Sequence, residues 1–237
     1  RKWICPVPGY DRHFAITEHF GFELIPVPLG DDGPDMDMVE ELVKNDEKIK
    51  GIWCVPLYSN PTGTCYSDET VRRLGAMECA ASDFRIFWDN AYGVHHLYGE
   101  CRVADIFEAC EAAGHTDRAL YFCSFSKITY PGAGVSMLAA SPEGLAETKR
   151  YLGIQTISYD RIVQLHHTRF FGNAAGVRRH MKRLAETLVP KFDMVLNTLD
   201  EELAGTGLLE WTRPMGGYFI SVDTLPGCAK ETVRLAK

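Results

Sequence analysis

The amino-acid sequence predicts an α/β fold, a mainly parallel sheet with helices on both faces, followed by part of a smaller α+β domain. Three observations carry this expectation. Short apolar runs alternate with stretches of helical period, turn-type polar residues follow several of those runs directly, and near residue 172 the alternation gives way to one long amphipathic stretch.

Taken in order, a helix begins near Asp11 and ends at Gly21, and Leu24–Val27 reads as a strand. A helix is expected from about Asp35 to Asn45 and a strand over Gly51–Val55. The sequence Asn60-Pro61-Thr62-Gly63 then makes a tight turn. Ser67 caps the next helix, whose periodicity runs through Thr70–Ala81. Ile86–Trp88 is a strand, Ile106–Ala112 a helix, and Leu120–Cys123 and Val135–Ala139 are strands. Ser141-Pro142-Glu143 opens a further helix with proline in its first turn. Beyond Gly172, Ala174 to Leu203 is a long amphipathic helix, and Leu208–Trp211 and Gly217–Val222 read as strands. Residues 1–172 are therefore expected to form a large domain and 173–237 the incomplete start of a small one. The chain does not begin with methionine, and its first residues read as the middle of a strand, so an N-terminal truncation is expected.

With 237 residues, 46% hydrophobic and 24% charged, the chain can bury one large core and part of another. A net charge of -7 with no lysine- or arginine-rich run argues against nucleic acid and membrane surfaces and favours a small-molecule substrate. No apolar stretch approaches the ~18 residues of a membrane helix. The start carries no export signal, and a cytoplasmic protein is expected. The eight cysteines are scattered, without paired spacing, and read as reduced thiols. His95-His96 and His166-His167 lack a third ligand at suitable spacing, so no metal is expected.

The chemistry lies in three short segments: Asn60 in its turn, Asp89-Asn90-Ala91-Tyr92, and Ser124-Phe125-Ser126-Lys127. Singly, each has an ordinary structural reading as a turn, a strand end or a solvated lysine. Open parallel sheets, however, place ligands beyond the carboxyl ends of their strands. Asn60, Asp89 and Ser124 each follow an apolar run, so all three are expected along one edge. Together they supply what a lysine needs to hold the aldehyde of pyridoxal 5'-phosphate as a Schiff base. Lys127 is the catalytic amine and proton carrier, and Asp89 pairs with the ring nitrogen. Tyr92 and Asn60 reach the ring oxygen, and Ser124, with Ser126 beside it, donates to the phosphate. Tyr10 is a candidate to stack on the ring, with His13 behind it as a partner of Asp89. Gly132-Ala133-Gly134 does not continue as a dinucleotide loop, and there is no P-loop or nucleophile elbow.

Pro8-x-Tyr10-x-x-His13, Asn60-Pro61-Thr62-Gly63, Asp89-x-Ala91-Tyr92, Ser124-x-Ser126-Lys127 and Pro214-Met215-Gly216-Gly217-Tyr218-Phe219 resemble the fold-type I pyridoxal phosphate enzymes, specifically the class I/II aminotransferases. Within this pattern, Asp89–Leu97 and Ser126–Val135 are similar to a bacterial aspartate aminotransferase subgroup. The resemblance implies a homodimer with sites at the subunit interface, and a ping-pong transfer of an amino group from an amino acid, aspartate first, to a 2-oxo acid, 2-oxoglutarate first. It also implies a glycine-rich phosphate loop before residue 1 and a substrate-carboxylate arginine after Lys237. One departure stands inside the chain: relatives carry a phosphate arginine about eight residues after the lysine, where this sequence reads Gly134-Val135-Ser136. The alternatives are a β-lyase, an alanine or aromatic aminotransferase, the aminotransferase-like sensor domain of a transcription regulator, and a fold kept only for assembly.

Overall fold

The computed structural model describes residues 1–132 and 134–236. In chain order the elements are β1 (Lys2–Val7), α1 (Asp11–His19), β2 (Glu23–Gly30), β3 (Gly33–Pro34), α2 (Met36–Asn45), β4 (Ile49–Cys54), α3 (Asp68–Ala76), β5 (Arg85–Asp89), α4 (Ile106–Ala112), β6 (Ala119–Ser124) and β7 (Ser136–Ala139). They are followed by α5 (Pro142–Gln155), α6 (Arg161–Phe171), α7 (Ala174–Leu203), β8 (Leu209–Trp211), β9 (Val222–Thr224) and α8 (Ala229–Leu235). Local chemistry sets many of these starts. Asp35, Ser67, Asp105, Ser141, Asp160 and Asn173 each cap a helix by accepting from a backbone N–H in its first turn.

Seven strands form one sheet in the order β3-β2-β1-β4-β5-β6-β7, and β8 pairs with β9 separately. Strands β2, β1, β4, β5 and β6 are mutually parallel, and β3 and β7 run antiparallel at the two edges. Alternation along each strand divides the side chains between two faces. Ile4, Ile52, Cys54, Ile86, Trp88 and Ala119 point to one face and pack with Val39, Val43, Val71, Leu74, Ile106 and Cys110 from α2, α3 and α4. The opposite face is aromatic: Phe87 meets Trp3, Trp53 and Phe122 edge-on, Trp3 is tilted against Trp53, and α1 lays His13 flat on Trp53. After β2 the chain crosses to the other side of β1, so the order reverses between β1 and β4, which is where such sheets hold ligands.

Some expectations need correcting. The helix over Thr70–Ala81 stops at Ala76, because buried Arg118 takes the carbonyls of Gly75 and Met77, His115 shares that of Gly75, and Ala80 bonds back to Val43. Residues 217–221 are not a strand; their backbone is engaged elsewhere, with Gly217 donating to the carbonyl of His95, and pairing with β8 begins only at Val222. Strand β7 returns antiparallel. Helices α6 and α8 had no expectation in the sequence.

Core burial and capping differ in magnitude. Leu74 is fully buried, so Leu74→Ala is expected to cost about 2–5 kcal/mol. Ser67→Ala removes one cap of α3 and is expected to cost about 1 kcal/mol. Urea unfolding midpoints check this; an equal cost for both would contradict the placement of the core.

Candidate active site

Four neighbouring parallel strands deliver the polar residues. Beyond the carboxyl ends of β1, β4, β5 and β6 come Tyr10, Asn60, Asp89 and Ser124 respectively, and the turn after β6 carries Lys127. That turn is short and irregular, closed by Ile128 N and Thr129 N donating to the carbonyl of Phe125, with Phe125 N bonded to Val135.

The Lys127 amine donates to Tyr92 Oη at 2.6 Å and stands 4.0 Å from the centre of the Tyr92 ring and 5.7 Å from that of Tyr10. The residue is exposed as a whole, but its amine rests on a buried tyrosine. Desolvation there lowers its pKa, and the charge of Asp89 pulls in the opposite direction without prevailing. The Tyr92 phenol is pushed up, first by burial and then by the charges of Asp89 and Tyr10, while the Asn60 amide acts the other way. Tyr92 is thus a neutral hydroxyl at physiological pH.

Asp89, the last residue of β5, meets His13 Nε2 at 2.9 Å. An ionised carboxylate only accepts, so that nitrogen carries the proton. His13 is held in turn: its ring lies parallel to Trp53 at 4.1 Å, and its carbonyl accepts from Thr17, whose hydroxyl accepts from Trp53 Nε1. At the end of β6, Ser124 Oγ donates to Ser126 Oγ at 3.0 Å and accepts from the Ser126 backbone N–H at 3.1 Å. Ser136 Oγ, directly across the β6–β7 pairing, donates to Ser124 at 3.4 Å. A Cβ at Gly134 would lie 2.3 Å from Ser126 Oγ, so a side chain at this position, next to the Val135 that stands eight residues after Lys127, would displace the Ser126 hydroxyl.

The structure therefore brings Tyr10, Asn60, Asp89, Tyr92 and Lys127 to one edge, and gathers Ser124 with Ser126. Sequence reasoning missed Ser136, which an antiparallel return after the lysine turn would have placed opposite Ser124. It also missed His95 and Tyr218, which donate to the Lys127 carbonyl at 3.1 Å and 2.8 Å, and His180, which donates to that of Ile128 at 2.8 Å. Nothing local in the sequence signals those contacts. The donor set suits a phosphorylated pyridine aldehyde: a partly desolvated amine, a carboxylate steadied by an imidazole, a neutral phenol and clustered hydroxyls.

The family model described as aspartate amino-transferase matches residues 1–237. An aspartate aminotransferase of Corynebacterium glutamicum is 54% identical over 237 residues, covering 100% of this chain and 55% of that protein. The crystal structure of an aspartate transaminase from Corynebacterium glutamicum superposes with a TM-score of 0.95 at 53% identity, covering 99% of this chain and 55% of that one. An alpha-aminoadipate aminotransferase from Thermus thermophilus, complexed with N-(5'-phosphopyridoxyl)-L-leucine, gives 0.81 at 26% identity, covering 95% of this chain and 56% of that one. The chain thus spans about 55% of the length of the first two. With the match running from its first residue to its last, this chain belongs to the aspartate aminotransferase family.

Proposed function

We propose that this chain is the lysine-bearing part of a pyridoxal-phosphate-dependent aminotransferase that moves the amino group of aspartate to 2-oxoglutarate in ping-pong fashion. The observation that carries the reading is the Lys127 amine, its pKa lowered, resting on Tyr92 at the sheet edge that also presents Asp89 backed by His13. Relatives named for aspartate support the substrate, and the relative complexed with a phosphopyridoxyl amino acid supports the cofactor.

When bound, pyridoxal phosphate supplies an aldehyde for the lysine and an electron sink for the substrate α-carbon. Asp89, oriented by His13, holds a proton on the ring nitrogen. Tyr92 and Asn60 steady the ring oxygen, and Tyr10 lines the cleft beside the amine. Ser124 donates to the phosphate, with Ser126 and Ser136 beside it. The Lys127 amine moves the proton at the α-carbon, a task that requires its neutral form, and desolvation brings that form within reach. Residues 1–172 supply this edge and residues 173–237 begin a smaller domain. A homodimer completes the reading, covering exposed apolar side chains such as Tyr151, Ile154 and Ile162 of α5 and α6.

Two outcomes are expected. The whole protein mixed with pyridoxal phosphate should show a visible absorption band that aspartate shifts and Lys127→Ala abolishes, and adding 2-oxoglutarate should yield glutamate. A band that amino acids leave unaltered, or one that survives the substitution, would defeat the reading; ammonia and pyruvate formed without a 2-oxo acid would make it a β-lyase.

The second concerns charge. Burial lowers the Lys127 pKa and Asp89 raises it, so Asp89→Asn should lower it further. In the native protein the folded amine titrates below the unfolded one, so the unfolded chain binds more protons between the two values. This group's contribution to stability therefore rises with pH across that window. Competitive acetylation of Lys127 against pH, read by mass spectrometry, measures both proteins; an unchanged or raised midpoint in Asp89→Asn would contradict the arrangement.

A further inference from the structure

We propose that His95 and Tyr218 are positioning residues for Lys127: by donating together to its backbone carbonyl they fix the direction in which its side chain leaves the turn, and so the place where its amine meets Tyr92. The inference rests on the reading of Lys127 as the reactive amine.

The turn from Phe125 to Thr129 belongs to no helix or strand, so its own ladder does not set the orientation of the Lys127 peptide. Two side chains do. His95 Nε2 reaches the carbonyl at 3.1 Å and Tyr218 Oη at 2.8 Å, from positions 32 and 91 residues away in sequence. A carbonyl accepts only, so His95 must carry its proton on Nε2. His95 is 2% exposed, and its Nδ1 is buried with no hydrogen-bond partner among the described residues. An imidazole that merely filled space would not be committed to one backbone oxygen while its second nitrogen goes unbonded, because an unmade buried bond is unfavourable.

The same groups surround the side chain. The rings of Tyr92, His95 and Tyr218 meet edge-on, with centres 5.7 Å, 5.0 Å and 6.3 Å apart, and the Lys127 amine lies over the first of them. Main chain and amine of one residue are thus gripped by a single aromatic trio. Tyr218 reaches it in fixed register: Gly217 N donates to the His95 carbonyl and Leu97 N to that of Met215. A Cβ on Gly216 would come within 2.3 Å of the His95 carbonyl oxygen and 2.6 Å of the Tyr58 ring, so only glycine permits this approach. The segment around Tyr218, more than ninety residues downstream, therefore holds the lysine in place.

Tyr218→Phe deletes one hydroxyl and keeps the ring, His95→Phe deletes the other donor, and His95→Gln keeps an N–H near Nε2. In the whole protein loaded with pyridoxal phosphate, Tyr218→Phe should lower kcat about tenfold and the double variant with His95→Phe about a hundredfold, the scale of small misplacements of a reacting group. KM for aspartate should stay within about twofold, because the groups lost touch no substrate. His95→Gln should recover most of the loss. In the cofactor-free protein, the acetylation midpoint of Lys127 should rise in Tyr218→Phe as the amine swings toward water. Should the isosteric Tyr218→Phe leave both kcat and the acetylation profile unchanged, the inference is overturned; a cost in KM alone overturns it too. If the unsubstituted protein fails to form a lysine-bound visible band, the function reading falls, and the acetylation arm still decides the clamp.

Discussion

Parallel hydrogen bonding between β1, β4, β5 and β6 is the constraint from which the site follows. Parallel strands have all their carboxyl ends on one side, and a βα crossover returns each chain segment to the opposite end before the next strand starts. Whatever residue ends one of these strands is thereby brought level with those ending its neighbours. Asp89 ends β5 and Ser124 ends β6, and in the pairing Asp89 lies beside Phe122, so the two polar side chains emerge within a residue or two of the same level. The strand order reverses between β1 and β4, and Tyr10 and Asn60 follow the carboxyl ends of these two strands. Burial of the aliphatic face against α2, α3 and α4 makes this alignment rigid.

On that edge, two electrostatic effects oppose each other. Burial favours a neutral amine at Lys127 and Asp89 favours a charged one; burial wins, but an isolated buried lysine would be shifted further. Asp89 is kept from moving toward the amine because His13 holds it, and His13 is fixed by its stacking on Trp53. The aromatic face of the sheet thus has a second purpose: beyond packing, it anchors the imidazole that anchors the carboxylate.

How far the sequence disclosed this depends on whether the cause was local. Helices α4 and α7 fall where their caps and periodicity put them, because Asp105 and Asn173 act within one turn. The gathering of the polar residues at one edge was legible for a related reason: Asp89 and Ser124 end strands and Tyr10, Asn60, Tyr92 and Lys127 lie in the loops after strands, and strand ends are marked by where apolar runs stop. The end of α3 was not legible, since Arg118 stops it from more than forty residues away. Residues 217–221 carry strand-like side chains, yet the backbone of Gly217 is claimed by His95. The dismissed histidine pair shows the same limit: His95 reads as a poor metal ligand in sequence, and its bond to the Lys127 carbonyl exists only once three distant segments meet.

Gly134 and the serine group are two sides of one packing arrangement. With Gly134 lying on Ser126, any side chain at 134 must push the Ser126 hydroxyl away, and that hydroxyl is what Ser124 donates to. The antiparallel pairing of β7 with β6 places Ser136 across from Ser124. A side chain at 134 would disturb the hydroxyl pair, and glycine leaves it intact. In the proposed function these hydroxyls would meet the phosphate through short, directed hydrogen bonds rather than through a mobile cation. The departure from the arginine-bearing pattern thus lies beside a glycine whose close approach to Ser126 couples it to the hydroxyls of Ser124 and Ser136.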